Sequence, residues 1–158
     1  MIFRYGVYCL DIDAEKTRQF YENHVYESCS CAGCRNFAGA YHLLPEEFLR
    51  FVRQFGVDPG KPAEITAYSS LDGNLTFYDG FYHICGKIIE GKEPYLRTGE
   101  RTYQLDEQYL INIREDVPVF FKEQCALIDK DFPRPVIQIE FQCSVPWVLD
   151  EPNPYFYP

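Results

Sequence analysis

Three cysteines close together in the chain are the residues whose type and spacing could do chemistry. They lie in the segment Cys29-Ser30-Cys31-Ala32-Gly33-Cys34. Cys31 and Cys34 have the spacing of a zinc knuckle, in which a turn brings two thiolates to one tetrahedral ion. Cys29 and the upstream His24 can complete the shell, because zinc prefers thiolate and imidazole ligands to the oxygen ligands of magnesium or calcium. The sequence therefore predicts a structural zinc site formed by Cys29, Cys31, Cys34 and His24, without the second paired-ligand motif of the common zinc folds.

The same cysteines also suggest a redox alternative. A helix is predicted to begin near Cys34, which would put Cys31 close to a helix N-terminus, where free amides and the helix dipole stabilise a thiolate. A thiol-dependent enzyme, redox or nucleophilic, would use Cys31 and Cys34. Dithiol oxidoreductases carry this motif in a β-α-β context, which the predicted elements lack. A third interpretation is that these thiols only help to fix the turn into the helix.

His83 is the candidate for acid–base chemistry outside the cysteine cluster. It lies in the strand predicted after the Asp79-Gly80 turn. A hydrolase that uses His83 with Asp79 is therefore a second enzymatic alternative. A half-buried structural histidine explains the same pattern. The short motifs of nucleophile-elbow hydrolases, P-loop proteins, zincins and Rossmann proteins do not occur in the sequence. The sequence thus favours a protein that is not an enzyme.

Cysteine usage and the N-terminal residues indicate the compartment. Seven cysteines cannot all form internal disulfides, because the number is odd. The first ten residues lack the cationic start and the apolar run of a secretory signal. We therefore expect a cytoplasmic protein with reduced thiols. The cysteines outside the cluster are expected to be small buried hydrophobes: Cys9, Cys85, Cys125 and Cys143.

Composition narrows the classes of partner. The chain of 158 residues has 24 acidic and 15 basic side chains and a formal net charge of −9. This balance argues against direct binding of nucleic acid, where Lys and Arg on phosphates supply most of the affinity. No apolar run approaches the roughly 18 residues of a membrane span, so we expect no membrane insertion. The leading hypothesis is a non-enzymatic binding or interaction domain whose partner is a protein or a small molecule.

Hydrophobic periodicity predicts helices in the N-terminal half. Apolar residues recur at helical spacing over 34–43, and again after Pro45, where Phe48, Leu49 and Val52 share one face. Gly56 is the expected stop of this second helix. A short helix is also expected near Glu15–Asn23.

After residue 62 the period changes from about 3.6 to two, which predicts strands. Turns at Asp72-Gly73 and Asp79-Gly80 predict an antiparallel meander, and strands are expected over 3–12 and 136–143. Residues 117–130 fit either a helix or a strand. The prediction is one α+β domain over residues 1–150, with a helical pair followed by a mainly antiparallel sheet. A tail rich in proline and aromatic residues, 151–158, is expected to dock on this domain, and the alternative is that it forms part of a partner-binding patch.

Four short segments carry a resemblance that covers roughly residues 20–150. They are Cys31-Ala32-Gly33-Cys34-Arg35-Asn36-Phe37, Gly56-Val57-Asp58-Pro59, Tyr78-Asp79-Gly80-Phe81-Tyr82-His83 and Val145-Pro146-Trp147-Val148-Leu149. Together they resemble a family of small uncharacterised bacterial proteins with a CxxCRN-type motif and a C-terminal VPWVL segment. The resemblance implies a bacterial, cytoplasmic, stand-alone domain. It implies no activity, cofactor or catalytic residue.

Overall fold

Three helices lie in the N-terminal half of the chain. The computed structural model describes residues 1–27, 29–114 and 116–157 and gives the helices as α1 (Ala14–Asn23), α2 (Ala32–Ala40) and α3 (Glu46–Arg53). Asp13 caps α1, because its carboxylate accepts the Lys16 N–H at 3.0 Å. After α3 the chain turns at Gly56, whose φ of 84° is the left-handed conformation that favours glycine. The predicted helical pair is confirmed, with a 3₁₀ turn over Tyr41–Leu43 between its members.

In the part of the chain that the structure describes, nine strands form two antiparallel sheets. They are β1 (Ile2–Tyr5), β2 (Tyr8–Ile12), β3 (Glu64–Tyr68), β4 (Leu75–Glu90), β5 (Tyr95–Arg97), β6 (Tyr103–Leu105), β7 (Ile111–Arg114), β8 (Val117–Lys122) and β9 (Val136–Pro146). The large sheet has the order β1-β2-β4-β9-β8-β7, and β3 also pairs with β4. β5 and β6 form a separate hairpin. The predicted α+β class with a mainly antiparallel sheet is confirmed.

Helix α1 fills a gap along one edge of β4. β3 pairs with residues 77–81 of this edge and β2 with residues 86–90, which leaves the backbone between them without a strand partner. The Thr17 Oγ1 accepts the Cys85 N–H at 2.9 Å, and the Tyr21 hydroxyl donates to the His83 carbonyl oxygen at 3.0 Å. Side chains of α1 therefore satisfy buried backbone groups that would otherwise lack hydrogen bonds.

Two sequence predictions at strand ends are wrong. The single strand expected over 3–12 is a hairpin of β1 and β2, in which the chain reverses at Gly6 with a φ of 54°. The turn expected at Asp79-Gly80 does not form, because β4 runs straight through both residues. Gly80 is needed there for close packing, since a β-carbon would come within 2.6 Å of Ile65 Cδ1. β8 confirms the strand alternative for residues 117–122, whereas residues 123–130 form neither a helix nor a strand.

The helices pack on one face of the large sheet through aromatic side chains. Phe37 of α2 contacts Tyr78 edge-to-face at 5.4 Å between ring centroids, and Phe48 of α3 lies 5.1 Å from Phe141 of β9. Such ring pairs add to the stabilisation from burying large apolar area. α2 and α3 are thereby held against the sheet, and the segment before α2 lies at its rim.

The C-terminal tail, as far as residue 157, docks on the domain as expected. Ser70 donates its N–H to the Tyr155 carbonyl oxygen at 2.8 Å, and its own carbonyl accepts the Tyr157 N–H at 3.2 Å. Asn153 donates from its side chain to Thr76 Oγ1 at 3.0 Å. None of the described helices is both long enough and apolar enough to cross a membrane.

Candidate metal centre

Local hydrogen bonds at the start of α2 hold the cysteine cluster together. Cys31 is the N-cap of α2, and its Sγ accepts the Cys34 N–H at 3.4 Å, as a serine or aspartate oxygen does in most caps. The Sγ of Cys29 accepts the Cys31 N–H at 3.2 Å. The Arg35 Nε donates to the Ser30 carbonyl oxygen at 3.2 Å. These bonds fold residues 29–35 into a compact turn that brings the cysteines together.

The three thiol sulfurs lie within 4.8 Å of one another. Sulfurs bound to one tetrahedral zinc ion, with Zn–S bonds near 2.3 Å, lie about 3.8 Å apart, so small side-chain rotations are enough to close a shell. Cys29 and Cys31 are exposed, and Cys34 is half-buried against β3, with its Sγ 4.0 Å from the Ile65 carbonyl oxygen. An ion can therefore reach the sulfurs from solvent. Within the described ranges, no other set of three His, Cys, Asp or Glu side chains is this close.

The surroundings give two of these thiols different acidities. Hydrogen bonds from the Cys29 side chain and from the Cys34 N–H lower the pKa of Cys31. Burial, together with hydrogen bonds to its thiol neighbours, raises the pKa of Cys34 to about 12. Since metals bind the thiolate, Cys31 is the more readily deprotonated ligand of the two, and the proton of Cys34 has to leave when the ion binds.

Buried hydrogen bonds fix α2, and with it the cluster, on the sheet. The Tyr78 hydroxyl of β4 donates to the Gly33 carbonyl oxygen at 2.9 Å and accepts from Asn36 Nδ2 at 3.1 Å. Asn36 Nδ2 also donates to the Pro146 carbonyl oxygen at 3.1 Å, and its Oδ1 accepts the Val148 N–H at 2.7 Å. Asn36 is fully buried, so it joins the middle of α2 to the end of β9 through satisfied polar contacts.

The C-terminal tail lies against the same turn. A β-carbon at Gly33 would come within 2.8 Å of both Ala67 Cβ and the Tyr155 hydroxyl, so α2, β3 and the tail meet there at close range. Arg35 forms an ion pair with Glu151 in the tail. No local pattern in the sequence predicts this contribution of Tyr155, because the docking position of the tail depends on residues distant in the chain.

A groove of about 450 Å³ opens beside the cluster. Carboxyl, hydroxyl and phenol side chains line it together with the three cysteines: Tyr26, Glu27, Glu64, Thr66 and Tyr155. Burial raises the pKa of Tyr26 to about 12, and the nearby Cys34 and Cys29 act in the same direction. Glu27 and Glu64 are exposed, so the entrance to the sulfurs carries negative charge.

His24, the fourth predicted ligand, lies apart from the cysteine group. Its ring stacks on Phe20 with 4.7 Å between centroids, and its Nδ1 is 3.8 Å from Asp129 Oδ2. Lys61 donates to its carbonyl oxygen. The structure thus brings together Cys29, Cys31 and Cys34, whereas His24 would have to leave Phe20 and Asp129 to join them. Its role as a ligand stays a prediction.

His83 and Asp79 share one face of β4 but bond to different partners. His83 is 3% exposed, with its Nε2 2.9 Å from the Ala126 carbonyl oxygen, and burial lowers its pKa. The Asp79 carboxylate accepts from Gln142 Nε2 at 3.2 Å. An acid–base pair needs the carboxylate to orient a ring nitrogen. The structure therefore does not assemble the pair that the hydrolase alternative requires.

Chemically, the centre offers two exposed thiols and one half-buried thiol around one point, beside an acidic groove. Soft sulfur ligands in this arrangement suit zinc or another thiophilic ion. Comparisons of the chain with protein-family models, with curated proteins and with solved structures found no match. The resemblance to a bacterial family stays a prediction.

Proposed function

We propose that this protein is a zinc-binding interaction domain whose ion is held by Cys29, Cys31 and Cys34. The observation that carries the proposal is the set of three thiol sulfurs within 4.8 Å of one another. Three thiolates on one short segment are typical of zinc sites and unsuited to magnesium or calcium. A reducing compartment such as the cytoplasm would keep these thiols available.

The ion would fix the segment that leads into α2. Residues 24–27 and 29–31, which lie between α1 and α2, have no helical or strand structure. A zinc ion bound to Cys29 and to Cys34 would tie this segment to the helix, so that binding contributes directly to folding free energy. The role of the zinc ion within this chain would therefore be structural.

The fourth coordination position is the one through which a partner could act. The chain brings three sulfurs together, while zinc takes four ligands. His24 would fill the position after a rearrangement; otherwise an exchangeable ligand from solvent or from a partner occupies it. We favour the exchangeable ligand, because the contacts of His24 with Phe20 and Asp129 would be lost in the rearrangement.

Metal analysis of purified protein tests the proposal. We expect one zinc per chain in protein prepared without chelator, and loss of that zinc in Cys31→Ser and Cys34→Ser variants. Cys125→Ser is the matched control, because Cys125 is a half-buried thiol outside the cluster. Equal zinc content in Cys31→Ser and wild-type protein would contradict the proposal. So would wild-type protein that stays metal-free after incubation with zinc.

A further inference from the structure

We propose that the metal-free protein performs thiol–disulfide exchange through Cys31 and Cys34, with small cationic disulfides as substrates. This activity goes beyond zinc binding and does not depend on it. Zinc and disulfide substrates would compete for the same sulfurs, because a thiolate that has donated an electron pair to the ion is a weaker nucleophile than a free thiolate. The activity therefore belongs to the protein without metal.

The geometry assigns different tasks to the two thiols. Cys31 is exposed at the N-cap of α2, where an incoming disulfide can approach its sulfur. Cys34 is half-buried one turn later, with its Sγ within 4.8 Å of the Cys31 Sγ. Residues three apart in a helical turn are neighbours, so their α-carbons lie at a separation that a disulfide can bridge. Cys31 is thus the attacking thiol and Cys34 the resolving thiol.

Hydrogen bonding supports the attack by Cys31. Its Sγ accepts the Cys34 N–H at 3.4 Å, and α2 directs its free N-terminal amides towards the same region. Negative charge that develops on sulfur is stabilised at this end of a helix. Cys29 stands outside the helix and accepts the Cys31 N–H, so it supports the turn without taking the resolving position.

The exchange balances in two steps. The Cys31 thiolate attacks one sulfur of a substrate R–S–S–R, the substrate S–S bond breaks, and the first R–S⁻ leaves and takes a proton from solvent. The Cys34 thiol loses its proton to solvent and attacks Cys31 Sγ, which breaks the mixed disulfide and releases the second R–S⁻. The protein dithiol is oxidised to a disulfide by two electrons, and the substrate disulfide is reduced to two thiols.

The groove beside the sulfurs selects the charge of the substrate. Glu27 and Glu64 line its entrance, and Arg35 is already paired with Glu151. The whole chain carries a formal charge of −9. A disulfide with cationic ends is attracted to this entrance and an anionic one is repelled, and salt weakens both effects.

Stopped-flow measurement of thiol release from metal-free, fully reduced protein tests the inference. Cystamine is the cationic probe and glutathione disulfide the anionic one. We expect release of two thiols per chain, a protein disulfide that maps to Cys31 and Cys34, and about a tenfold preference for cystamine at low salt. A Glu27→Gln, Glu64→Gln double variant should narrow that preference.

Cysteine variants separate this activity from zinc binding. Cys34→Ser and Cys34→Ala should accumulate the mixed disulfide at Cys31. They should release the second thiol at least about tenfold more slowly than wild type, because the intramolecular attack by Cys34 is lost. Their circular dichroism spectra check folding. In Cys29→Ser, which should bind zinc more weakly, the protein disulfide should still map to Cys31 and Cys34, and Cys125→Ser should behave as wild type.

The inference is overturned if the second thiol is released equally fast without Cys34, or if the disulfide maps to Cys29. It is also overturned if Cys31 reacts no faster than Cys125. If the protein binds zinc but does not reduce disulfides, this inference fails and the proposed zinc site stands. If it reduces disulfides but does not bind zinc, the proposed function fails and this inference stands.

Discussion

Replacement of Asn36 by leucine tests how α2 is held on the sheet. The change removes the acceptor for the Val148 N–H and the donor for the Pro146 carbonyl oxygen, at 2.7 and 3.1 Å. Both partners are only partly buried, so each one left without a hydrogen bond costs about 1–2 kcal/mol, below the full cost for a buried group. Tyr78 loses the hydrogen bond from Asn36 but keeps its own bond to the Gly33 carbonyl oxygen, so this loss adds little to the fall in the free energy of unfolding. We expect the free energy of unfolding to fall by about 2–4 kcal/mol.

Urea denaturation followed by circular dichroism measures this change. Asn23→Leu is the matched control, because Asn23 is an exposed asparagine on α1 whose substitution should alter stability by less than about 0.5 kcal/mol. Both proteins are compared without metal, so that zinc binding does not contribute. A loss below about 0.5 kcal/mol for Asn36→Leu would refute the view that this side chain joins α2 to the end of β9.

Three further predictions concern the candidate ligand His24, the half-buried carboxyl group of Asp79 and the close contact at Gly80. His24→Ala should change zinc affinity less than threefold, measured by competition with a chromophoric chelator; a larger loss would make His24 a ligand. Burial raises the pKa of Asp79, so its charged form destabilises the fold, and this penalty grows as pH rises above 3.8. Asp79→Asn, which can still accept from Gln142, should therefore raise the melting temperature at pH 7 but not at pH 3; equal shifts would contradict this. Gly80→Ala should lower the free energy of unfolding by about 1–3 kcal/mol in urea denaturation, since the new β-carbon would lie 2.9 Å from the Glu64 carbonyl oxygen.

Sequence patterns predicted those elements whose signals are local. α3 combines an apolar face with glutamates in its first turn and Gly56 after its end, and all of these act within a few residues. The proximity of the three cysteines follows in the same way from their spacing and from the turn into α2. For α3 and for the cysteine cluster, residues close together in the sequence were sufficient for the prediction.

Other features depend on contacts that no local pattern contains. Asp79-Gly80 has the composition of a hairpin turn, but Ile65 and Phe141 require a residue without a side chain inside β4. His24 stays a predicted fourth ligand, and the contacts that its ring makes with Phe20 and Asp129 are not visible in the pattern around the cysteines. Tyr155 reaches the first turn of α2 because Ser70 binds the tail. Ile65, Phe141, Asp129 and Ser70 are all distant in sequence from the residues they contact, and only Phe20 is a near neighbour, four residues before His24.

The pairing of β4 with β9 also has a kinetic consequence. Tyr82 lies opposite Ile139, and the whole register joins segments far apart in the chain, so the central sheet contact forms only after a long loop has closed. Proteins dominated by such pairings fold in milliseconds to seconds. The turn that carries the cysteines lies at the rim and contributes little to that step. An ion bound there should therefore slow unfolding and leave the folding rate nearly unchanged, because it stabilises contacts that are absent from the transition state.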